Sequence, residues 1–262
     1  TQWSSSAASD VYKRQNNPFD VFKTPMDLEK EAKEKKMNPY MLTSFVDGSK
    51  TMIEMAALAN YLDFDIDIDG MHGPNSTYDE LNSIFIPKTS GGILENTNVV
   101  DFAFGVAPGV FAIVYSEDDY VNYEMEYLKM GKGPYWTLYR PYHLTSLEIP
   151  RTIMKLMVEK ETQLSAKKWN VEVVAHSKKD LKAGTNLGSI GGENIYGKAM
   201  RVENSKNLAP LGIAENNIVN SEVKKGEPIE IENIDITDNQ LYKYWLSPVS
   251  YTHLTLPTTT IV

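Results

Sequence analysis

The residues best suited to acid–base chemistry stand together in the stretch FVDGSKTMIE. Asp47, Lys50 and Glu54 occupy positions i, i+3 and i+7, which lie close to one helix face if the helix begins early enough. A desolvated lysine beside carboxylates can orient a carbonyl group, share its proton or bind an anion. The alternative is an exposed Lys50–Glu54 pair worth roughly a few tenths of a kcal/mol. The Met, Ile and Ala residues around the pair favour the first interpretation, and both stay open.

Two further stretches carry histidine and arginine. In GMHGP, His72 stands between two glycines, where a backbone can approach a ligand closely. In LYRPYHL, Arg140 and His143 flank a proline, and arginine with histidine suits the binding of a phosphate or carboxylate. A turn histidine without a role and ordinary packing of a tyrosine-rich turn are the alternatives. The three stretches together favour a substrate site.

Other motifs in the chain fail on spacing. FDIDIDG matches the first half of a calcium loop, but Ser76 stands where that loop needs a bidentate glutamate. GSKT lacks the glycine-rich lead-in of a phosphate loop, and GSIGGENIYG lacks the spacing of a dinucleotide fingerprint. Neither a Gly-x-Ser-x-Gly elbow nor a His-Glu-x-x-His helix is present. We therefore expect no metal and neither a serine hydrolase nor a zinc protease.

Composition narrows the class of partner. The 262 residues include 26 basic and 35 acidic side chains, a net charge of -9, which argues against nucleic acid because phosphate binding needs clustered Lys and Arg. The chain has no cysteine, which excludes disulfides and thiolate metal sites and fits a reducing compartment. No apolar run approaches membrane-spanning length, and no signal peptide is visible. We expect a cytoplasmic homo-oligomer that takes a small-molecule substrate and binds neither nucleic acid nor membrane.

The elements that would position these residues are mixed. TPMDLEKEAKEKK predicts a charged surface helix with Thr24 as its N-cap, and residues 49–62 predict a much more apolar helix. FDIDIDG alternates apolar and acidic residues, which predicts a half-buried strand ending at Gly70. A second strand is predicted at residues 110–115, followed by helices in YVNYEMEYLKM and EIPRTIMKLMVEKET.

After Trp169 the chain changes to short strands and turns. DLKAGTNL, residues 180–187, is echoed by EVKKGEPI, residues 222–229, each with a charged turn and a glycine before an apolar residue. The echo predicts a small, pseudo-symmetric β-module, with a domain boundary near residues 165–170.

Both ends of the chain read as sequencing-adapter-like tails. Residues 5–15, SSAASDVYKRQ, can be written in codons whose reverse complement encodes VSYTHLTLPTT, residues 249–259. Selection on a protein does not explain two complementary ends, and the string resembles a transposase adapter. We therefore expect no stable strand or helix in residues 1–15 or 248–262, and a native chain that extends further upstream.

Several long stretches carry a family resemblance. They include MNPYMLTSFVDGSKTMIEMAALAN, GGILENTNVVDFAFGVAPGVFAIV, YLKMGKGPYWTLYRPYHLTSLEIP and DLKAGTNLGSIGGENIYG. In these the chain resembles homoserine dehydrogenase-like oxidoreductases with a C-terminal SAF domain, relatives of the deoxyxylulose phosphate reductoisomerase-like enzymes. The resemblance covers nearly all of residues 16–237.

The resemblance implies an α+β fold in which a mixed-sheet catalytic and dimerisation part, residues 16–168, precedes a β-clip SAF domain, residues 169–237. It implies an NAD(P)-binding Rossmann domain upstream of Asn16, which would hold NAD or NADP, so that this chain alone would be inactive. A non-catalytic SAF-type module that binds a sugar or supports assembly is the alternative, and an SAF-bearing sugar-acid lyase is a third possibility. In the family interpretation the catalytic candidates are Lys50, Asp47, Glu54 and His72, and the substrate-binding candidates are Arg140 and His143.

Overall fold

The computed structural model describes residues 2–6, 19–106, 108–142, 145–160, 165–236 and 240–246. Helices and small antiparallel sheets are mixed along these residues, which is the α+β class expected from the sequence. The helices are α1 (Glu29–Glu34), α2 (Pro39–Val46), α3 (Ser49–Leu62), α4 (Leu81–Ile84), α5 (Asp119–Tyr127), α6 (Thr145–Met154), α7 (Leu211–Ala214) and α8 (Gln240–Leu246). The strands are β1 (Gln2–Ser6), β2 (Val110–Tyr115), β3 (Tyr135–Arg140), β4 (Val171–Ser177), β5 (Ile195–Arg201), β6 (Ile218–Val219) and β7 (Ile234–Asp235).

The first helices follow the predicted capping signals with one shift. Thr24 and Asp27 do exchange the expected hydrogen bonds, but the chain turns after them and α1 begins only at Glu29. Asn38 caps α2 by accepting a hydrogen bond from the backbone N–H of Tyr40 at 2.9 Å. Helix α3 occupies residues 49–62 as predicted.

A three-stranded antiparallel sheet has the order β1-β2-β3. Strand β2, predicted at residues 110–115, pairs with β3 so that Val110 faces Arg140 and Ala112 faces Leu138. On its other edge β2 pairs with β1, with Gln2 opposite Tyr115. The expectation that residues 1–15 contain no strand is therefore wrong for residues 2–6, because β2 offers an edge with which an extended segment can pair.

The two faces of this sheet have different neighbours. Phe111 and Ile113 point into a buried cluster that includes Phe85 and Leu94. On the opposite face, Trp136 is fully buried and donates its indole N–H to Asn122 of α5 at 2.9 Å. Beyond α5, the described residues leave Val110 and Leu138 of the same face 40 % and 38 % exposed.

The predicted strand in FDIDIDG is wrong. It forms one parallel bridge, between Asp65 and Val99, and otherwise turns. Two of its alternating acids bind other segments of the chain. Asp67 accepts hydrogen bonds from the backbone N–H groups of residues 95 and 96, and Asp69 accepts one from the backbone of Arg201. Side-chain-to-backbone bonding of this kind competes with strand pairing. Arg201 in turn donates to the carbonyls of Ile66 and Asp67.

Residues 171–235 contain the four strands β4–β7, joined by turns and short helical segments, and the sequence echo is visible in their hydrogen bonds. Leu181 and Val223 exchange both backbone hydrogen bonds, at 2.8 and 3.0 Å. The two echo glycines, Gly184 and Gly226, each stand in a left-handed turn, with φ of 88° and 84°. Each donates its N–H to the strand that precedes the other copy. The two copies thus repeat the same pairing with roles exchanged, as an internal pseudo-twofold requires.

Helix α3 joins the two parts of the chain. Its buried side chains Met52 and Met55 belong to one core cluster with Val171 and Ala199 of strands β4 and β5. The start of α3 also bonds to β5, since the backbone N–H of Gly197 donates to the Ser49 hydroxyl at 2.8 Å. The hydrophobic core is therefore continuous across the predicted boundary at residue 169, which itself stays a prediction.

Candidate functional site

Asp47 forms a fully buried ion pair. Its Oδ2 lies 2.8 Å from Lys178 Nζ, with the two side chains 0 % and 1 % exposed. Its Oδ1 accepts the backbone N–H of Ser49 at 2.8 Å, at the start of α3. Burial raises the pKa of the Asp47 carboxyl, and Lys178 opposes that rise. Lys178 also donates to the carbonyls of Lys23 and Gly192, so its three N–H groups are satisfied.

Lys50 and Glu54 form the exposed helix pair that the sequence left as an alternative. The Lys50 ammonium lies 3.5 Å from the Glu54 carboxylate, and the two side chains are 43 % and 35 % exposed. The ammonium also stands 4.2 Å from the centre of the Phe45 ring, a cation–π contact that fixes its position. Lys50 is thus accessible to a ligand, and Glu54 is the carboxylate paired with it.

His72 lies between two buried carboxylates. Its Nδ1 is 2.8 Å from Asp101 Oδ2 and its Nε2 is 3.4 Å from Asp67 Oδ2, and the ring is 17 % exposed. The hydrogen bond to Asp101 raises the pKa of the imidazole above its usual value, against the opposing effect of burial. Asp101 also accepts the backbone N–H groups of His72 and Gly73. Both ring nitrogens therefore serve internal partners, and the described residues hold no group arranged as a metal site.

A groove opens where α3 passes the uncovered face of the sheet. It has a volume of about 450 Å³ and is lined by Leu58, Leu62, Val110, Phe111, Ala112, Leu138, Tyr139 and Arg140. Leu58 and Leu62 follow Lys50 and Glu54 at intervals of four residues, so all four lie along one stripe of α3. At about 1.5 Å of rise per residue, Glu54 lies roughly 6 Å along the helix from Leu58. The exposed ion pair therefore leads into the groove.

Arg140 provides the charge in the groove wall. Its Nη2 lies 2.5 Å from Glu148 Oε1, and its guanidinium carbon stands 4.9 Å from the centre of the Tyr142 ring. The hydrogen bond to Glu148 raises the pKa of the guanidinium further above its ordinary value. His143, the other predicted anion-binding residue, lies outside the described residues.

The predicted residues thus divide into two kinds of environment. Arg140 lines the groove, and Lys50 and Glu54 lie on the stripe of α3 that leads to it. Asp47 and His72 are engaged by internal partners. Sequence reasoning missed those partners, Lys178, Asp67 and Asp101, and it missed the groove. The leucine spacing on α3 was a usable signal for the groove, but nothing local marks Lys178 as the partner of Asp47.

Comparison with known proteins identifies the family. The chain belongs to the oxidoreductase DRL family: the model of its catalytic domain matches residues 5–149, more than half of the 262 residues. The match contains the groove, Lys50, Glu54 and Arg140. It begins at residue 5, within the adapter-like tail of residues 1–15. A search of curated proteins finds no match. Among the helices that the structure describes, none has the length and apolar composition needed to cross a membrane.

Proposed function

We propose that this chain is the substrate-binding and catalytic part of an NAD(P)-dependent oxidoreductase of the homoserine dehydrogenase-like class. Its reaction would be hydride transfer to or from a small hydroxy or keto compound, which can carry a phosphate. The observation that carries the proposal is the family match over residues 5–149, which includes an accessible lysine–glutamate pair on α3 and an arginine in the lining of an apolar groove further along that helix.

The described residues do not fit a dinucleotide. The one glycine-rich stretch, residues 188–197, is taken up by packing: a Cβ on Gly191 would stand 2.2 Å from the Tyr40 carbonyl oxygen of α2. A phosphate-binding loop needs its backbone N–H groups open to the ligand at the start of a helix. We propose, as the family resemblance implies, that a Rossmann domain upstream of Asn16 holds NAD or NADP.

The residues of this chain supply the binding and proton-transfer functions. Lys50 would donate a hydrogen bond, and then its proton, to the oxygen of the substrate carbonyl, and would take the proton back in the reverse direction. Glu54, 3.5 Å away, would hold the ammonium in position. Arg140 would bind an anionic group of the substrate through N–H groups that Glu148 leaves available.

We further propose that residues 169–237 form an SAF domain of the β-clip type. Support comes from the pseudo-twofold pairing of the two echo turns, in which Leu181 and Val223 bind each other. Because α3 shares its core with β4 and β5, this domain would also hold the helix that carries Lys50.

The test begins with the upstream reading frame of the source DNA, where we expect a glycine fingerprint directly after a predicted strand. The complete protein should oxidise NADH or NADPH in the presence of small keto compounds. Lys50→Met should lower the rate about 100-fold or more, the usual effect of removing a proton-transfer group, with cofactor binding retained. Lys30→Met, on the exposed surface of α1, is the matched control and should leave the rate unchanged. A reading frame without that domain, or a Lys50→Met enzyme within a few-fold of the parent, would contradict the proposal.

A further inference from the structure

We infer that the groove between α3 and the open sheet face binds an apolar organic anion, whose anionic group pairs with Arg140 and whose body lies along the leucine and valine side chains. The inference rests on the proposed function in taking this groove as the substrate site, and it names the class of molecule that fits there. It also predicts binding by the chain without any cofactor.

The lining of the groove favours a ligand with an apolar body. Among the eight lining residues that the structure describes, five are aliphatic: Leu58 and Leu62 of α3 and Val110, Ala112 and Leu138 of the sheet. The Phe111 side chain points into the buried cluster on the other face. A volume of about 450 Å³ lies within the range of roughly 300–1,000 Å³ that small-molecule sites occupy. Water in such a groove finds few hydrogen-bond partners, so an apolar group gains free energy by replacing it.

Arg140 favours a ligand that carries an anionic group. It faces Val110 across the β2–β3 pair and is the one charged residue among the lining residues that the structure describes. A guanidinium has five N–H donors, and the contact with Glu148 involves the Nη2 nitrogen. The Tyr142 ring, 4.9 Å from the guanidinium carbon, holds the plane of the group. The guanidinium also donates a hydrogen bond to Tyr142. A carboxylate or phosphate can bind the donors that Glu148 and Tyr142 leave, without displacing Glu148.

Glu148 should weaken the binding of an anion at Arg140. Its carboxylate already sits on Arg140 at 2.5 Å, so it repels a second anion at the same guanidinium. Removing that negative charge while keeping the side-chain shape should strengthen the binding of an anion. The same change should weaken or leave unaltered the binding of a cation, which separates charge recognition from simple hydrophobic adsorption.

The experiment uses the 262-residue chain and three ten-carbon probes: decanoate, decanol and decyltrimethylammonium. Dissociation constants are measured by isothermal titration calorimetry below the micelle concentration of each probe, and groove residues are located by NMR shift changes. Decanoate should bind at least tenfold more tightly than decanol, and decyltrimethylammonium should bind most weakly. Arg140→Met should remove this preference for the anion, since charge-assisted bonds are about twice as strong as neutral ones. Glu148→Gln should strengthen decanoate binding several-fold.

Two variants test the location of the site. Ala112→Phe fills the groove and should abolish binding of all three probes. Leu138→Asp places a carboxylate in the lining at a half-exposed position that tolerates polarity, and should reduce decanoate binding at least tenfold even if Ala112→Phe does not fold. Lys132→Met, an exposed cation outside the groove, is the matched control for Arg140→Met.

Equal affinity for decanoate and decyltrimethylammonium, or decanoate binding that survives Arg140→Met and Leu138→Asp, would overturn the inference. Because binding is measured without cofactor or turnover, this result is separate from the test of the proposed function. An active complete enzyme whose groove fails these tests would refute the inference alone. An inactive enzyme whose groove passes them would refute the oxidoreductase proposal alone.

Discussion

The buried Asp47–Lys178 pair offers the sharpest test of how the fold is held together. Asp47→Asn keeps the shape of the side chain but leaves the Lys178 ammonium, 1 % exposed, without its counter-ion. Removing one partner of a buried pair destabilises a protein by about 3–5 kcal/mol, because the remaining charge is uncompensated. We therefore expect Asp47→Asn to lower the free energy of unfolding by about 3 kcal/mol or more at pH 7.

The stability of the variant that lacks Lys178 should depend on pH. Lys178→Met leaves the Asp47 carboxylate buried. It also removes the strongest of the interactions that counteract the burial-induced rise of the Asp47 pKa, so that only the hydrogen bonds from Ser49 still oppose that rise. The native variant then takes up a proton more readily than the unfolded chain, so its stability should increase as the pH falls from 7 towards 5. The double variant Asp47→Asn/Lys178→Met buries no charge. Its loss of unfolding free energy should therefore be smaller than the sum of the losses in the two single variants.

The assay is urea unfolding followed by tryptophan fluorescence and far-ultraviolet circular dichroism, with all variants in one buffer. Lys50→Met is the matched control, since its partner Glu54 lies 3.5 Å away but the pair is exposed, and exposed pairs contribute about 0–1 kcal/mol. If Asp47→Asn costs no more than Lys50→Met, or if the single losses simply add in the double variant, the ion pair does not stabilise the fold and the reasoning fails.

Two histidines should give stability curves of opposite slope. The raised pKa of His72 means that its contribution is present below about pH 6.5 and is lost as pH rises through the folded-state pKa, so His72→Gln should cost more at pH 6 than at pH 9. Burial lowers the pKa of His176 to about 4, so the free energy of unfolding should fall by up to ~3 kcal/mol as the pH falls from 6.5 to 4. His176→Phe should abolish that loss. Identical pH slopes in the parent and in the two histidine variants would contradict both assignments. The new Cβ of Gly191→Ala would stand 2.2 Å from the Tyr40 carbonyl oxygen, whereas that of Gly184→Ala, at the same left-handed backbone, would have nothing within 4 Å. Gly191→Ala should therefore destabilise the protein by about 1–3 kcal/mol more than Gly184→Ala. Equal losses in urea unfolding would show that α2 moves away from the new Cβ without cost.

Local sequence signals predicted those elements whose interactions are local. Residues 49–62 form a helix with the predicted bounds, because helical spacing and a terminating left-handed Asp63 act within the segment itself. The echo at residues 180–187 and 222–229 succeeded for a related reason, since two similar turns pair with each other. FDIDIDG failed because its acidic side chains bind the backbone of residues 95, 96 and 201, which no local pattern reveals.

The candidate site shows the same limit. The sequence placed Asp47 with Lys50 because they are three residues apart, yet the partner of Asp47 is Lys178, more than a hundred residues further along the chain. Lys50 and Glu54 are four residues apart on one helix, and there the spacing argument agreed with the observed pair. Which carboxylate is buried depends on what β4 brings against the start of α3, and that is a tertiary property.

The distribution of charge bears on how an anion could reach the groove. A chain with a net charge of -9 repels anions at long range, but at physiological ionic strength this field decays over about 8 Å. Three carboxylates, those of Asp47, Asp67 and Asp101, are buried against their own partners and add little to the field at the surface. At the groove itself the ligand meets Arg140, while the ammonium of Lys50 lies on the helix stripe leading to it. Recognition of an anion therefore has to be short-range, so affinity should depend on the contact with Arg140 far more than on the overall charge of the protein.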